Sequence, residues 1–125
     1  MDNEEINELN YFLSQNDKFL VISLIGSIET ASYLKIQSLL TEILMRDEGT
    51  LTIINFQETT SISGDAVIYL AQLQKQIRSK KMFLRICCLK PSMQQKLDLS
   101  GVIRNSEIMV DLPTALQSLI EIRKK

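Results

Sequence analysis

Residues 51–70 read LTIINFQETTSISGDAVIYL, and their pattern changes twice along this stretch. Residues 51–56 are mostly apolar, which is typical of a strand that is covered on both faces of a sheet. The polar residues 57–61 predict a loop. Apolar residues then recur at helical spacing, which predicts a helix beginning near Ser63. These residues are Ala66, Val67, Leu70, Leu73 and Ile77.

The same alternation of strand and helix patterns continues on both sides of this stretch. Four further strands are predicted over residues 8–13, 19–25, 82–89 and 108–110. Gly26 and Ser27 are expected to end the second of them. Three further helices are predicted over residues 31–45, 91–100 and 112–125. Pro91 can open the middle one and Gly101 can end it. Strands that alternate with helices predict an α/β structure.

Composition limits the classes of function. A chain of 125 residues predicts one domain, residues 1–125. Lys and Arg together number 14 and Asp and Glu 15, so the net charge of −1 does not favour nucleic-acid binding. The absence of histidine removes the usual general base and most zinc sites, so we expect neither an enzyme nor a metal or cofactor site. The cluster of Arg78, Lys80 and Lys81 is interpreted as a solvated helix end, with partner or phosphate binding as the alternative.

The cysteines and the apolar runs bear on the compartment. Cys87 and Cys88 are adjacent and lack the spacing of a metal site or a redox pair, which favours two reduced thiols in the cytosol. The most apolar stretch, residues 19–28, is too short to span a bilayer. The acidic residues 1–5 are unlike a signal peptide. We therefore expect a cytoplasmic protein without membrane insertion.

Ser63, Gly64 and Asp65 mark the expected start of the helix that follows the polar loop. The Ser63 hydroxyl is suited to cap the helix by accepting a bond from a first-turn amide. Asp65 is suited to the first turn, where the helix dipole favours negative charge. A structural role explains both residues. The functional alternative is that a hydroxyl at an exposed helix start serves as a phosphorylation switch.

Several motifs together resemble the STAS domain family, which includes the bacterial anti-sigma factor antagonists. They are Asn55 at a strand end, Ile62 before the helix, Pro91 after the third apolar run, the Leu-Asp-Leu-Ser-Gly-Val turn of residues 97–102, and Gly26-Ser27-Ile28-Glu29. The intervals from Asn55 through Pro91 to Gly101 match the family pattern without a gap. The resemblance covers most of the chain from about residue 19 onward.

One position departs from the family pattern. In the family, Asp-Ser-Ser/Thr-Gly opens the helix, and the serine after the aspartate accepts the phosphate. The gapless alignment puts Ser63 at the aspartate and Gly64 at the acceptor, so the usual acceptor hydroxyl is absent. Ser63, and after it Ser61, are the remaining phosphoacceptor candidates.

The resemblance implies a fold and a function. The implied fold is a single STAS-like α/β domain with a mixed sheet of four or five strands and about four helices largely on one side. The implied function is that of an anti-sigma factor antagonist, which binds an anti-sigma factor of the serine kinase type. The alternative is a STAS subunit without phosphorylation that binds a transporter ATPase or a signalling scaffold. The implied partner-binding residues are Thr59, Thr60, Ser61, Ser63, Gly64, Asp65 and Val67, with Ser27 and Glu29 as weaker candidates.

Overall fold

The computed structural model describes residues 8–101 and 104–123. The acidic residues 1–5, compared with a signal peptide, and Val102 of the 97–102 motif lie outside these ranges. The strands are β1 (Asn10–Asn16), β2 (Phe19–Ile28), β3 (Leu51–Asn55), β4 (Thr59–Ile62), β5 (Phe83–Cys87) and β6 (Ile108–Met109). The helices are α1 (Tyr33–Ile43), α2 (Val67–Ser79), α3 (Pro91–Ser100) and α4 (Leu112–Arg123).

The sheet is mixed, as predicted, and has six strands. Its order is β1-β2-β3-β5-β6, and β4 pairs with the end of β2. β1 runs antiparallel to β2, and the other neighbouring pairs are parallel. The sixth strand, β4, lies where the sequence predicted a loop. Thr59 and Ile62 at its two ends are buried and the two residues between them are exposed, so β4 lacks the apolar run by which the other strands were found.

The expectation that Gly26 and Ser27 end the second strand is wrong, because β2 continues to Ile28. Gly26 has φ +99°, a conformation that glycine adopts without steric penalty. The pairing between β2 and β4 shifts register between Gly26 and Ser27, which marks a β-bulge. The glycine therefore bends the strand and lets it pair with β4.

The helices lie largely on one face of the sheet, as predicted. Helices α1, α2 and α3 enclose the main core, in which Leu20, Ile22 and Leu24 point from β2 toward the helices. Helix α4 packs on the other face, where its Ala115 and Leu119 cover β3 and β5. No helix within the described residues is long and apolar enough to cross a membrane.

Helix α3 begins and ends at the predicted residues. Pro91 occupies its first turn, and Gly101 follows its last residue with φ +74°. Other boundaries differ by a few residues from the predictions. Helix α1 is shorter than residues 31–45 because its first turn, Thr30–Ser32, is a 3-10 turn. Strand β1 starts two residues later than predicted and continues to Asn16.

Candidate partner-binding surface

The pairing of β2 with β4 brings the two predicted partner-binding segments together. Ser27 pairs with Ser61 and Ile28 with Ile62 in a parallel register. The hydroxyls of Ser27 and Ser61 are 2.6 Å apart and share a hydrogen bond. The backbone N–H of Ser63 donates to the carbonyl of Ile28 over 2.9 Å. The turn after β2 and the start of α2 therefore form one continuous surface.

The exposed members of the predicted set are Glu29, Thr60, Ser61, Gly64 and Asp65, and we call them the β4–α2 surface. Three of them, Glu29, Ser61 and Asp65, border an open groove of about 480 Å³. The groove is lined by Glu29, Thr30, Ala31, Ser61, Ile62, Ser63, Asp65 and Lys96. The two carboxylates of the surface, Glu29 and Asp65, give it a negative charge.

Three of the predicted partner-binding residues lie beneath this surface. Thr59 is fully buried, and its hydroxyl donates to the carbonyl of Leu24 over 2.6 Å. Ser27 and Val67 are 5% and 8% exposed. Their side chains can hold the β4–α2 surface in place, but a partner cannot reach them without opening the fold.

Ser63 occupies the N-cap position of the turn that leads into α2, with φ −74° and ψ 152°. The predicted capping bond is not formed: the Ser63 hydroxyl makes no hydrogen bond to the first-turn amides. Its oxygen is buried, and no described residue bonds to it. The helix instead begins with a tight 3-10 turn, Gly64–Ala66, in which the Ala66 N–H donates to the Ser63 carbonyl over 3.1 Å. The Ser63 hydroxyl is therefore covered in this conformation.

Gly64 and Ser61 are both exposed, unlike the Ser63 hydroxyl. A Cβ added at Gly64 would meet nothing within 4 Å, so larger side chains fit there without a clash. Gly64, at which the gapless alignment predicts the family acceptor, is therefore open to solvent but has no hydroxyl. The Ser61 hydroxyl is the more accessible of the two candidates, although it is engaged with Ser27.

Two lysines of the α3 region support β4, and sequence reasoning missed both. The ammonium of Lys90 donates to the carbonyl of Thr59, and that of Lys96 donates to the carbonyl of Ile62, each over 2.6 Å. Both lysines are distant from β4 in the chain and belong to no local motif, so only the folded chain reveals their role.

Two tyrosines fix the neighbouring helix starts. The rings of Tyr33 on α1 and Tyr69 on α2 are 5.3 Å apart and tilted by 59°. The Tyr69 hydroxyl donates to the carbonyl of Thr30 over 3.3 Å. The first turns of α1 and α2 are thus linked beside the groove.

Comparisons with known proteins identify the family and the fold. The sequence model of the STAS domain matches residues 12–115. A search of curated protein sequences finds no significant match. Among solved structures, the RsbS S58E protein of Moorella thermoacetica superposes with a TM-score of 0.77 at 12% identity, covering 92% of this chain and 98% of that chain.

Two further solved structures with this fold are an anti-sigma factor antagonist and an anion transporter. An anti-sigma factor antagonist from Mycobacterium paratuberculosis has a TM-score of 0.77 at 12% identity and covers 91% of this chain and 96% of that chain. The murine anion transporter Slc26a9 has a TM-score of 0.73 at 12% identity and covers 86% of this chain but 18% of the transporter. At these identities the superpositions establish the shared fold.

Proposed function

Because the chain belongs to the STAS domain family, we propose that it is a regulatory protein of the anti-sigma factor antagonist type. In this proposal it acts in the cytoplasm, binds an anti-sigma factor of the serine kinase type, and so releases a sigma factor for transcription. The observation that carries the proposal is the β2–β4 pairing, which joins Ser27 to Ser61 and presents one polar surface at the start of α2.

The β4–α2 surface has properties suited to a binding site. Its residues are exposed: Thr60 and Ser61 stand on β4, Gly64 and Asp65 on the 3-10 turn before α2, and Glu29 directly after β2. The sheet holds β4 from one side, and Lys96 of α3 supports it from the other. A site built on such elements is more rigid than one on a free loop, which lowers the ordering cost of association. Glu29 and Asp65 favour a partner that offers cationic side chains beside the groove.

The contact is tested by titrating the full chain into a purified kinase-type anti-sigma factor. Thr60 is an exposed residue in the middle of β4, so Thr60→Arg should hinder docking and weaken binding at least about tenfold. Thr41→Arg makes the same change at an exposed position of α1 and serves as the matched control. Equal affinities for the two variants would contradict the proposal.

We propose further that the protein binds constitutively, without a phosphorylation cycle. Gly64 lacks a hydroxyl, and the Ser63 hydroxyl is covered. After incubation with the anti-sigma kinase and ATP, intact-mass analysis should show no added phosphate on the native chain. Gly64→Ser places a hydroxyl in open space at the family acceptor position, and it should gain one phosphate. Stoichiometric phosphate on Ser63 or Ser61 of the native chain would overturn constitutive binding.

A second candidate function follows from the same glycine. A STAS subunit that binds and stabilises a transporter ATPase or a signalling scaffold needs no acceptor hydroxyl. Glycine at position 64 is compatible with such a function. A pull-down from the native cytoplasm, with the bound protein identified by mass spectrometry, separates the two functions. A kinase-type anti-sigma factor supports the first, and a transporter ATPase or a scaffold protein supports the second.

A further inference from the structure

Strand β1 forms one edge of the sheet. Its inner side pairs with β2 through all seven of its residues, Asn10–Asn16. Within the described residues no strand pairs with its outer side. Proteins commonly protect such edges with charged residues, prolines or bulges. The sequence of β1, NYFLSQN, contains neither charge nor proline, and its register with β2 is unbroken.

An exposed aromatic side chain stands in the middle of this edge. Phe12 is 62% exposed. It lies opposite Ser23 of β2, on the face of the sheet that carries α4. The α4 cluster reaches β2 at Phe19 and Val21 but does not include Phe12. Its neighbours Tyr11 and Leu13 lean against the main core on the other face. The edge thus offers both unpaired backbone groups and an apolar side chain.

From this edge we infer that the chain forms a homodimer in which β1 pairs antiparallel with β1 of a second copy across a two-fold axis. The best register places Phe12 on the axis opposite its own copy. Tyr11 of each chain then lies opposite Leu13 of the other. Two aromatic rings therefore meet on one face of the joined sheet, and aromatic–aliphatic pairs form on the other. A two-fold axis at Leu13 would instead set Phe12 opposite Ser14 and Tyr11 opposite Gln15.

Charge agrees with the Phe12 register. No charged residue lies between positions 9 and 15, and Glu8 falls opposite Asn16 of the second copy. No like charges therefore face each other along the ladder, whose backbone bonds would continue the sheet from one chain into the next. The edge shares no residue with the β4–α2 surface, so the dimer does not depend on the proposed function.

The size of the contact sets the expected strength. One strand and a few side chains form a small interface, of the class that buries less than about 1,200 Å² in total. A reversible dimer is expected, and sedimentation velocity over a concentration series of the full chain should show monomer passing into dimer. Sedimentation as a monomer throughout the series, up to the solubility limit, would overturn the inference.

A charge at the axis provides the first mutational test. Phe12→Lys sets two ammonium groups opposite each other and should raise the dimer dissociation constant at least about tenfold. Leu99→Lys is the matched control, because Leu99 is 83% exposed on α3, away from the edge. An unchanged dimer in Phe12→Lys, with the unfolding midpoint retained, would overturn the inference.

A crosslinking test reads the register directly and does not require Phe12→Lys to fold. In Phe12→Cys the two new thiols would face each other with Cα atoms about 5 Å apart, so a short bis-maleimide should join the chains. In Asn16→Cys the two thiols would lie eight residues apart along the ladder, about 27 Å, beyond the reach of the reagent. The native chain, with Cys88 half-buried, measures the background. Equal crosslinking of the two variants would overturn the Phe12 register and the proposed β1–β1 homodimer.

Discussion

Ser63 and Asp111 stand at the starts of two helices and differ in whether their side chains cap them. The Asp111 carboxylate accepts a bond from the Thr114 N–H over 2.9 Å. Hydrogen bonds from Thr114 hold the pKa of Asp111 below its usual value. The Ser63 hydroxyl bonds to no described residue. Residue type alone suggests a cap at both positions, and only one of them forms it.

Alanine substitutions should separate these two residues. Asp111→Ala should lower the free energy of unfolding measured in urea at pH 7. Ser63→Ala should change it by less than about 0.5 kcal/mol, because it removes a buried hydroxyl that lacks a partner. A loss of about 1 kcal/mol in Ser63→Ala, the usual cost of a lost cap, would show that the hydroxyl does cap α2.

The contribution of Asp111 should also depend on pH. Because its pKa is lower in the folded chain than in the unfolded chain, ionised Asp111 stabilises the fold above its unfolded-state pKa. That stabilisation is lost as the pH falls through the lowered folded-state value. The difference between the native chain and Asp111→Ala should therefore shrink in acid.

Gly64 and Gly101 make a second matched pair, because both are exposed glycines at helix ends. Gly101 has φ +74°, and Gly64 has no positive φ. Gly64→Ala should stabilise the fold by about 0.4–1 kcal/mol by restricting the unfolded chain. Gly101→Ala should destabilise it by about 1–2 kcal/mol because alanine is strained in the left-handed region. Shifts of the same sign in urea unfolding would contradict this account.

Secondary-structure elements were predictable from sequence where their signals are local. Helix α3 is the clearest case, since Pro91 opens it and Gly101 ends it through conformational preferences of those residues themselves. Strand β4 was missed because backbone bonds to β2, rather than an apolar run, hold it in the sheet. The support of β4 by Lys90 and Lys96 was missed for the same reason, as it depends on contacts distant in sequence.

The contacts of the basic cluster at the end of α2 also could not be predicted from sequence. Its interpretation as a solvated helix end is wrong for Arg78 and Lys80. Arg78 forms a bidentate ion pair with Glu107, and the Lys80 ammonium donates to the carbonyl of Leu44 over 2.9 Å. Of the three, only Lys81 is exposed. The ion pair joins α2 to the segment before β6, and its two residues are 29 positions apart in the sequence.

Two ion pairs that join distant elements should therefore differ in strength. The side chains of Arg78 and Glu107 are 22% and 10% exposed, whereas those of Arg123 and Asp17 are 50% and 66% exposed. Glu107→Ala leaves the Arg78 guanidinium with only its 3.4 Å bond to the Gln74 side chain among the bonds described, and it should cost about 2–3 kcal/mol of unfolding free energy. Arg123→Ala should cost less than about 0.5 kcal/mol. Similar losses in urea unfolding would show that burial does not decide the strength of these pairs.

Strand β4, which carries part of the β4–α2 surface, lies outside the main strand order of the sheet and is bonded from two sides. β2 pairs with β4 along one side, and α3 reaches it through the Lys90 and Lys96 ammonium groups. The order of the surface therefore depends on a helix that lies outside the exposed set of residues. A change in α3 is therefore expected to alter the order of this surface, and Lys96 also lines the groove beside it.

Hydrogen exchange of the backbone amides can measure this dependence. Lys96→Met retains the unbranched stem of the side chain but removes the donor to the Ile62 carbonyl, so the amides of β4 should exchange about five to ten times faster. The amides of β3 should keep their rates, because β3 lies between β2 and β5 in the sheet. Lys75→Met makes the same change at an exposed position of α2 and should leave β4 unaffected. If β4 and β3 accelerate together in Lys96→Met, the lysine supports the whole fold. If β4 alone accelerates, α3 controls the rigidity of the β4–α2 surface, and affinity for a partner should fall with it.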